Sequence, residues 1–285
     1  MYRITGKKVL NTDVIQMDVE APLVARKAKP GQFIILRVDA DGERIPLTIA
    51  GSDPQAGTVR IIFQTVGATT LLLGHKNIGD SIPDFVGPLG TATALDGLHR
   101  VCVIGGGVGC AIALPIAQAL HAQGADVTSI IGFRSSKQAI LEADFAACSN
   151  QLIVTTDDGS LGRHGNVTMP LADMLSGGAC FDRIFAIGPL VMMKFVVAAA
   201  RPYGVPVTVS MNPIMIDGTG MCGGCRLTLV RDGKRIARFA CVDGPDFDGY
   251  EVDFDEAIAR SRMYAPFERT ARERTCSLLA KAEEV

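Results

Sequence analysis

The chain has 285 residues, of which 48% are hydrophobic and 20% charged, with a formal net charge of −2. That length exceeds what one hydrophobic core usually serves, so a compact α/β protein of two domains, or two and an appendage, is expected. Near-neutral charge without a dense Lys/Arg run excludes nucleic acid as a partner, and apolar stretches such as Val101–Ile104 and Ala111–Leu114 fall far short of the roughly 20 residues that span a bilayer, which excludes a membrane role. The opening Met1-Tyr-Arg-Ile-Thr-Gly6 lacks the apolar block of a secretory signal, so the expected compartment is the cytoplasm.

From Tyr2 to about Leu98, short β-type runs (Phe33–Val38, Ile45–Ala50, Thr58–Val66) alternate with turn signals such as Asp39-Ala-Asp-Gly42. Runs of this kind predict an antiparallel barrel or sandwich without a long helix. Two loops in this region, separated by a strand hairpin, could face one ligand: Arg44-Ile-Pro46-Leu47-Thr48 and Val66-Gly67-Ala68-Thr69-Thr70. Pro and Gly also punctuate ordinary turns, so composition alone does not decide between a binding loop and a plain one.

From Arg100 the texture changes. Val101–Ile104, Val127–Ile131, Leu152–Thr156, Ile184–Ile187 and Val207–Val209 read as strands, with helix-length segments between most of them. The alternation predicts a parallel, doubly wound sheet with ligands at the carboxyl ends of its strands. The first strand opens through Gly105-Gly106-Gly107-Val-Gly109 into a helix, a geometry that lets backbone approach a pyrophosphate at a helix amino terminus. A tight turn without a ligand has the same appearance. The second strand ends in Gly132-Phe-Arg134-Ser-Ser-Lys137 rather than in an acid, so Arg134 and Lys137 are candidates for a 2′-phosphate, and NAD and NADP both stay open. A further glycine-bearing strand end, Ala186-Ile-Gly188-Pro189, again leads into a helix.

In a reducing compartment eight cysteines suggest metal or redox chemistry rather than disulfides. Cys102, Cys110, Cys148, Cys180 and Cys276 are scattered and read as small buried or idle thiols. The set Asp217-x4-Cys222-x2-Cys225-x15-Cys241 follows the plant-type spacing for a two-iron cluster, with aspartate in the first position. Tetrahedral zinc on the same three cysteines, with Asp or His as the fourth ligand, is the alternative and would suit a non-catalytic nucleotide-binding regulator. A hairpin is expected around Arg231-Asp-Gly-Lys234, and the charged tail after Tyr250 reads as a helix, either a solvated face with i,i+4 pairs or a docking surface.

Arg44-Ile-Pro-Leu-Thr48, Gly87-Pro-Leu-Gly90, Val103-Ile-Gly-Gly-Gly-Val-Gly109, Ala186-Ile-Gly-Pro189 and the Asp217/Cys222/Cys225/Cys241 set together resemble the ferredoxin reductase superfamily, to about Tyr250. Within it the chain is similar to the small subunits of NADH-dependent reduced ferredoxin:NADP+ oxidoreductases, which share the aspartate at the first cluster position, and to those of dihydroorotate dehydrogenases, which have a cysteine there. The resemblance implies an FAD-binding β-barrel over 1–98, an NAD(P)-binding α/β domain over 99–210, a 2Fe-2S module over 211–250 and a helical tail over 251–285. It places Pro46, Leu47 and Thr48 near the isoalloxazine and ribityl chain, and Gly67, Thr69 and Thr70 near the pyrophosphate. NAD(H) would cross Gly105–Gly109 and Gly188-Pro189. The family also implies a larger partner subunit with a second flavin and four-iron clusters, ferredoxin reached through that complex, and electron bifurcation. The same fold serves dihydroorotate and sulfide dehydrogenase electron-transfer subunits. In two places the chain departs from the pattern: Arg44 stands one residue before the superfamily's arginine, which aligns with Ile45, and Leu47 replaces the aromatic that usually stacks on the flavin. No acid–base residue is expected to be catalytic, because the cofactors carry the chemistry.

Overall fold

The structure, a computed structural model, describes residues 1–283. Its first part is a seven-stranded antiparallel near-barrel of β1 (Tyr2–Val9), β2 (Val14–Glu20), β3 (Phe33–Arg37), β4 (Arg44–Asp53), β5 (Thr58–Gln64), β6 (Ser81–Ile82) and β7 (Asp84–Leu89), in the order β6-β1-β2-β5-β4-β3-β7. Two short helices interrupt it, α1 (Pro22–Ala25) and α2 (Ala68–His75). The segment read above as a second binding loop is therefore the first turn of a helix. Gly67 is extended, the chain turns helical at Ala68, and Leu73 anchors α2 in the barrel core. At the far end of α2 the Lys7 ammonium donates to the carbonyls of Gly74 (2.7 Å) and Lys76 (2.8 Å), a favourable place for a cation.

Strand β3 explains how the barrel joins the rest. Side chains alternate across a strand: Ile34, Leu36 and Val38 enter the barrel core, while Phe33 and Ile35 enter a second core shared with the parallel sheet and the cysteine-bearing module. Burial on both faces is why Phe-Ile-Ile-Leu is apolar without a break.

The second sheet contains β8 (Arg100–Gly106), β9 (Asp126–Phe133), β10 (Gln151–Thr156), β11 (Arg163–His164), β12 (Arg183–Ile187) and β13 (Val207–Ser210), interleaved with α3 (Gly109–Ala122), α4 (Glu142–Ala147), α5 (Thr168–Ser176) and α6 (Leu190–Ala200). Its order is β11-β10-β9-β8-β12-β13, with a final strand from Asp246 to Asp248 antiparallel at the edge. The strand order reverses between β8 and β12, which is where a doubly wound sheet opens a crevice. On β8, Cys102 and Ile104 face one core with α5 and α6, and Val101 and Val103 face the other with α3.

The remaining elements are the hairpin β14 (Arg226–Arg231) and β15 (Lys234–Phe239), the edge strand β16 (Asp246–Asp248), α7 (Phe254–Ser261) and α8 (Ala265–Glu283). The hairpin turns through Asp232 (φ 52°) and Gly233 (φ 72°), the double positive φ of a two-residue turn that suits strand twist. The Asp253 side chain caps α7 by accepting from the Glu256 N–H at 2.9 Å. The tail pairs with other elements: Lys194 bonds Asp255 at 2.6 Å, Arg235 bonds both Asp253 and Glu256, and α8 packs against α2 of the barrel. No helix among the described residues is long and apolar enough to cross a membrane.

Candidate functional site

The carboxyl ends of β8 and β12 meet at the crevice. A β-carbon on Gly106 would lie 2.3 Å from Met192 Sδ, one on Gly109 would lie 2.4 Å from the Ile187 carbonyl oxygen, and one on Gly188 would lie 2.8 Å from Met192 Cε and 3.2 Å from Gly106 Cα. Gly105, whose own β-carbon would strike Cys110, completes the approach. Sequence-distant glycines thus create one tight backbone crossing, with Pro189 opening α6 beside it. Gly107, at φ 55° and with open space around it, faces outward and donates its N–H to the Gly132 carbonyl at 2.9 Å. No side chain caps α3; the Cys110 and Ala111 amides turn back to the carbonyls of Gly107 (3.2 Å) and Val108 (3.0 Å), and the positive end of the helix suits an anion. Arg134 and Lys137 lie just beyond β9 and make no ion pair among the described residues. Met192 is a contributor that only the fold reveals.

On the barrel, β3 pairs with β4 in the register Phe33–Thr48, Ile34–Leu47, Ile35–Pro46, Leu36–Ile45 and Arg37–Arg44. Directly paired residues share a face, so Arg44, Pro46 and Thr48 lie on the side of Phe33 and Ile35, away from the barrel core. Leu47 and Ile45 pack against that core instead. The one-residue offset of Arg44 therefore puts it on the face of Pro46 and Thr48, opposite to the face of Ile45. The Thr69 hydroxyl donates to Glu43 Oε2 at 3.2 Å, which brings the start of α2 to the start of β4. The Thr70 hydroxyl accepts from the Gly67 N–H at 3.0 Å, and no side chain caps the first-turn amides. An open helix terminus beside an outward strand face fits a phosphate-bearing cofactor such as FAD. Glu43 has no sequence signature that would have marked it.

The cluster loop is shaped by glycines at positive φ: Gly218 (75°), Gly220 (81°) and Gly223 (69°). Cys225 and Cys241 are buried with their sulfurs 3.2 Å apart, while Cys222 is exposed. Burial pushes the Cys241 thiol up to about 12. Asp217 accepts the amides of Thr219 (2.8 Å) and Cys222 (2.9 Å), and these bonds, Thr219's first, hold its carboxyl below the usual range. Among the described residues no three metal-ligating side chains converge: the fold pairs two of the four expected ligands and leaves Asp217 binding the loop backbone. Two buried sulfurs inside a loop wrapped by glycines fit an iron–sulfur cluster, whose thiolate ligands carry negative charge that burial otherwise opposes. Cys102, Cys110 and Cys148 are buried, with thiols pushed up by desolvation.

The loop rests on the barrel. A β-carbon on Gly218 would lie 2.7 Å from Leu89 Cδ1 and 3.1 Å from Ile35 Cδ1, and Ile35 is the ladder partner of Pro46.

Residues 212–253 match the model for the iron–sulfur cluster binding domain of dihydroorotate dehydrogenase B. The chain is 43% identical over 283 residues to a dihydroorotate dehydrogenase B (NAD(+)) electron transfer subunit homolog of Thermotoga maritima, covering 99% of this chain and 98% of that one. It is 32% identical to the electron transfer subunit of Geobacillus thermodenitrificans, across 87% of this chain and 96% of that one. A solved NADH-dependent reduced ferredoxin–NADP oxidoreductase, studied for flavin-based electron bifurcation, matches with a TM-score of 0.89 at 42% identity over 96% of this chain and 97% of that one. More distant ferredoxin reductases of known structure share the fold alone. The chain therefore belongs to the family of dihydroorotate dehydrogenase B electron-transfer subunits, flavin and iron–sulfur electron-transfer proteins on the ferredoxin-reductase fold.

Proposed function

We propose that the chain moves electrons between NAD(H), FAD and a 2Fe-2S cluster as the small subunit of an electron-bifurcating ferredoxin:NADP+ oxidoreductase complex, with NADP(H) as an alternative nucleotide. The observation that carries this reading is the seat of the cluster loop: Gly218 lies on Ile35 and Leu89, one ladder partner away from Pro46 on the proposed flavin strand. When bound, FAD supplies hydride exchange with a nicotinamide and one-electron exchange with a cluster.

The protein's part is position and environment. Gly105, Gly106, Gly107 and Gly109, with Gly188 and Pro189, admit a dinucleotide backbone at the switch point, and the α3 terminus faces its phosphates. Arg134 would meet the ribose end. Arg44, Pro46 and Thr48 present the outward strand face to the flavin, Leu47 supports it from the core side, and Gly67, Thr69 and Thr70 offer the α2 amides to its pyrophosphate. Asp217, Cys222, Cys225 and Cys241 hold the cluster. The larger subunit, with a second flavin and four-iron clusters, would link this arm to ferredoxin.

Anaerobic titration of the purified chain with NADH tests this. Visible flavin and iron–sulfur bands that bleach on addition are expected. A colourless protein containing zinc but no iron after reconstitution would sink the reading in favour of a regulator. A second reading, service to a dihydroorotate dehydrogenase, is favoured by the match over 212–253; co-purification of a dihydroorotate-oxidising partner would select it.

A further inference from the structure

Cys241 is followed by a segment that is fastened on two sides. On the barrel side, the Thr91 N–H donates to the Gly244 carbonyl at 2.7 Å, the Thr91 hydroxyl to the Val242 carbonyl at 3.3 Å, and the Thr93 hydroxyl to Asp246 Oδ2 at 2.6 Å. On the sheet side, the Met211 N–H donates to the Pro245 carbonyl at 2.8 Å, and β16 pairs with β13 from Asp246 to Asp248. Thr91 and Thr93 follow Leu89 and Gly90, and Leu89 is the residue on which Gly218 of the cluster loop rests. Asp246 therefore stands where barrel, sheet and the strand leading away from Cys241 meet.

Packing does not account for an acid here. Asp246 Oδ1 is inaccessible to solvent and has no hydrogen-bond partner among the described residues, and the residue lines a cavity of about 210 Å³ with Arg183, Phe185 and Thr208. A buried carboxyl with an unpartnered oxygen costs stability. The hydrogen bond that its other oxygen accepts from Thr93 across the seam does explain it.

We propose that Asp246, through Thr93, is a positioning residue for electron transfer between flavin and cluster: it holds the segment carrying Cys241 at a set distance from the barrel face formed by Ile35 and Leu89. The inference rests on the flavin and cluster reading above. The step it governs makes and breaks no bond; one electron is lost at the flavin and one is gained at the cluster, and NADH is the reductant. The rate of such a transfer falls steeply with separation, so small displacements matter.

The test uses the full-length holoprotein with Asp246→Ala, the milder Thr93→Val should the first not fold, and Asp246→Asn, whose amide oxygen still accepts from Thr93. In stopped-flow mixing with NADH, flavin bleaching should be unchanged. Cluster bleaching should slow by roughly tenfold or more in Asp246→Ala and Thr93→Val, as expected when a positioning contact is lost, and recover in Asp246→Asn. In the cofactor-free chain, amide exchange should accelerate at 91–93 and 242–246. Unchanged cluster bleaching, equal slowing of both phases, or an Asp246→Asn as slow as Asp246→Ala would overturn the proposal. A wild-type chain whose flavin ignores NADH would instead sink the functional reading, and the exchange experiment would still decide whether this bond holds the seam.

Discussion

The nucleotide crevice and the cluster loop are both rich in glycine, and the residue serves a different need in each. In the crevice, Gly106, Gly109 and Gly188 are needed for space: a β-carbon at any of them collides with β12 backbone or with Met192. In the loop, Gly223 is needed for shape, since its φ of 69° is one that side chains with a β-carbon rarely adopt, while Gly220 (φ 81°) needs both shape and room, a β-carbon on it lying 2.9 Å from Val242 Cγ2. The crevice is therefore assembled by packing two parallel strands, whereas the loop is bent locally. The difference also shows in readiness. Gly106 and Gly188 already stand so close across the switch point that a β-carbon on Gly188 would lie 3.2 Å from Gly106 Cα, while only Cys225 and Cys241 of the four proposed ligands lie side by side.

The hardest test of this contrast is Cys241→Ser, which should abolish iron binding and the associated visible bands while leaving FAD content unchanged, measured by iron assay and absorbance. Loss of FAD as well would mean that the two sites are not separately built. Next comes Gly109→Ala, whose new methyl meets the Ile187 carbonyl; overpacking of this kind costs about 1–3 kcal/mol. A lowered urea midpoint and failure of NADH to bleach the flavin are expected, and normal NADH reduction would argue against the crevice.

Gly223→Ala should cost less, about 1 kcal/mol, because only the left-handed backbone opposes it and the nearest atom to the new methyl is 3.9 Å away. Gly223→Asn should recover part of that loss, since Asn tolerates this conformation; a space-limited position would respond in the opposite order. The smallest effect is expected at Asp182, far from both sites. Its carboxylate accepts the amides of His99 (2.7 Å) and Arg100 (2.8 Å), and these bonds, Arg100's first, hold its pKa below the usual value. A depressed folded pKa contributes stability above the unfolded value of about 3.9, and that stability is lost as pH falls through the folded value. Asp182→Asn should therefore flatten the acid limb of the stability curve; an unchanged limb would show that the exposed carboxylate contributes nothing.

Much of the architecture was legible along the chain. The predicted strands Val101–Ile104, Val127–Ile131 and Leu152–Thr156 lie within β8, β9 and β10, because strands buried on both faces are continuous apolar runs. The Asp232-Gly233 turn was legible because its two positive φ angles demand those residue types. The start of α2 was less so: Gly67-Ala-Thr-Thr70 has the composition of a turn, and Leu73 reaching the barrel core is what makes it a helix. The charged tail was legible as a helix; that its acids pair with Lys194 and Arg235 and that α8 lies on α2 was not. Those contacts join residues far apart in sequence, where local periodicity carries no signal.

Residue types and spacing alone determined the two folding regimes, short β runs between turn signals followed by alternating strands and helices, and the candidate chemistry, glycines at strand ends and thiols at cluster spacing. Such features depend only on neighbours within a few residues. Tertiary structure decided which face of β4 looks outward, that Met192 closes on Gly106, that Glu43 meets Thr69, and that Thr93 and Asp246 fasten the Cys241 segment to the barrel. Each of these depends on how separate elements are registered and packed against one another.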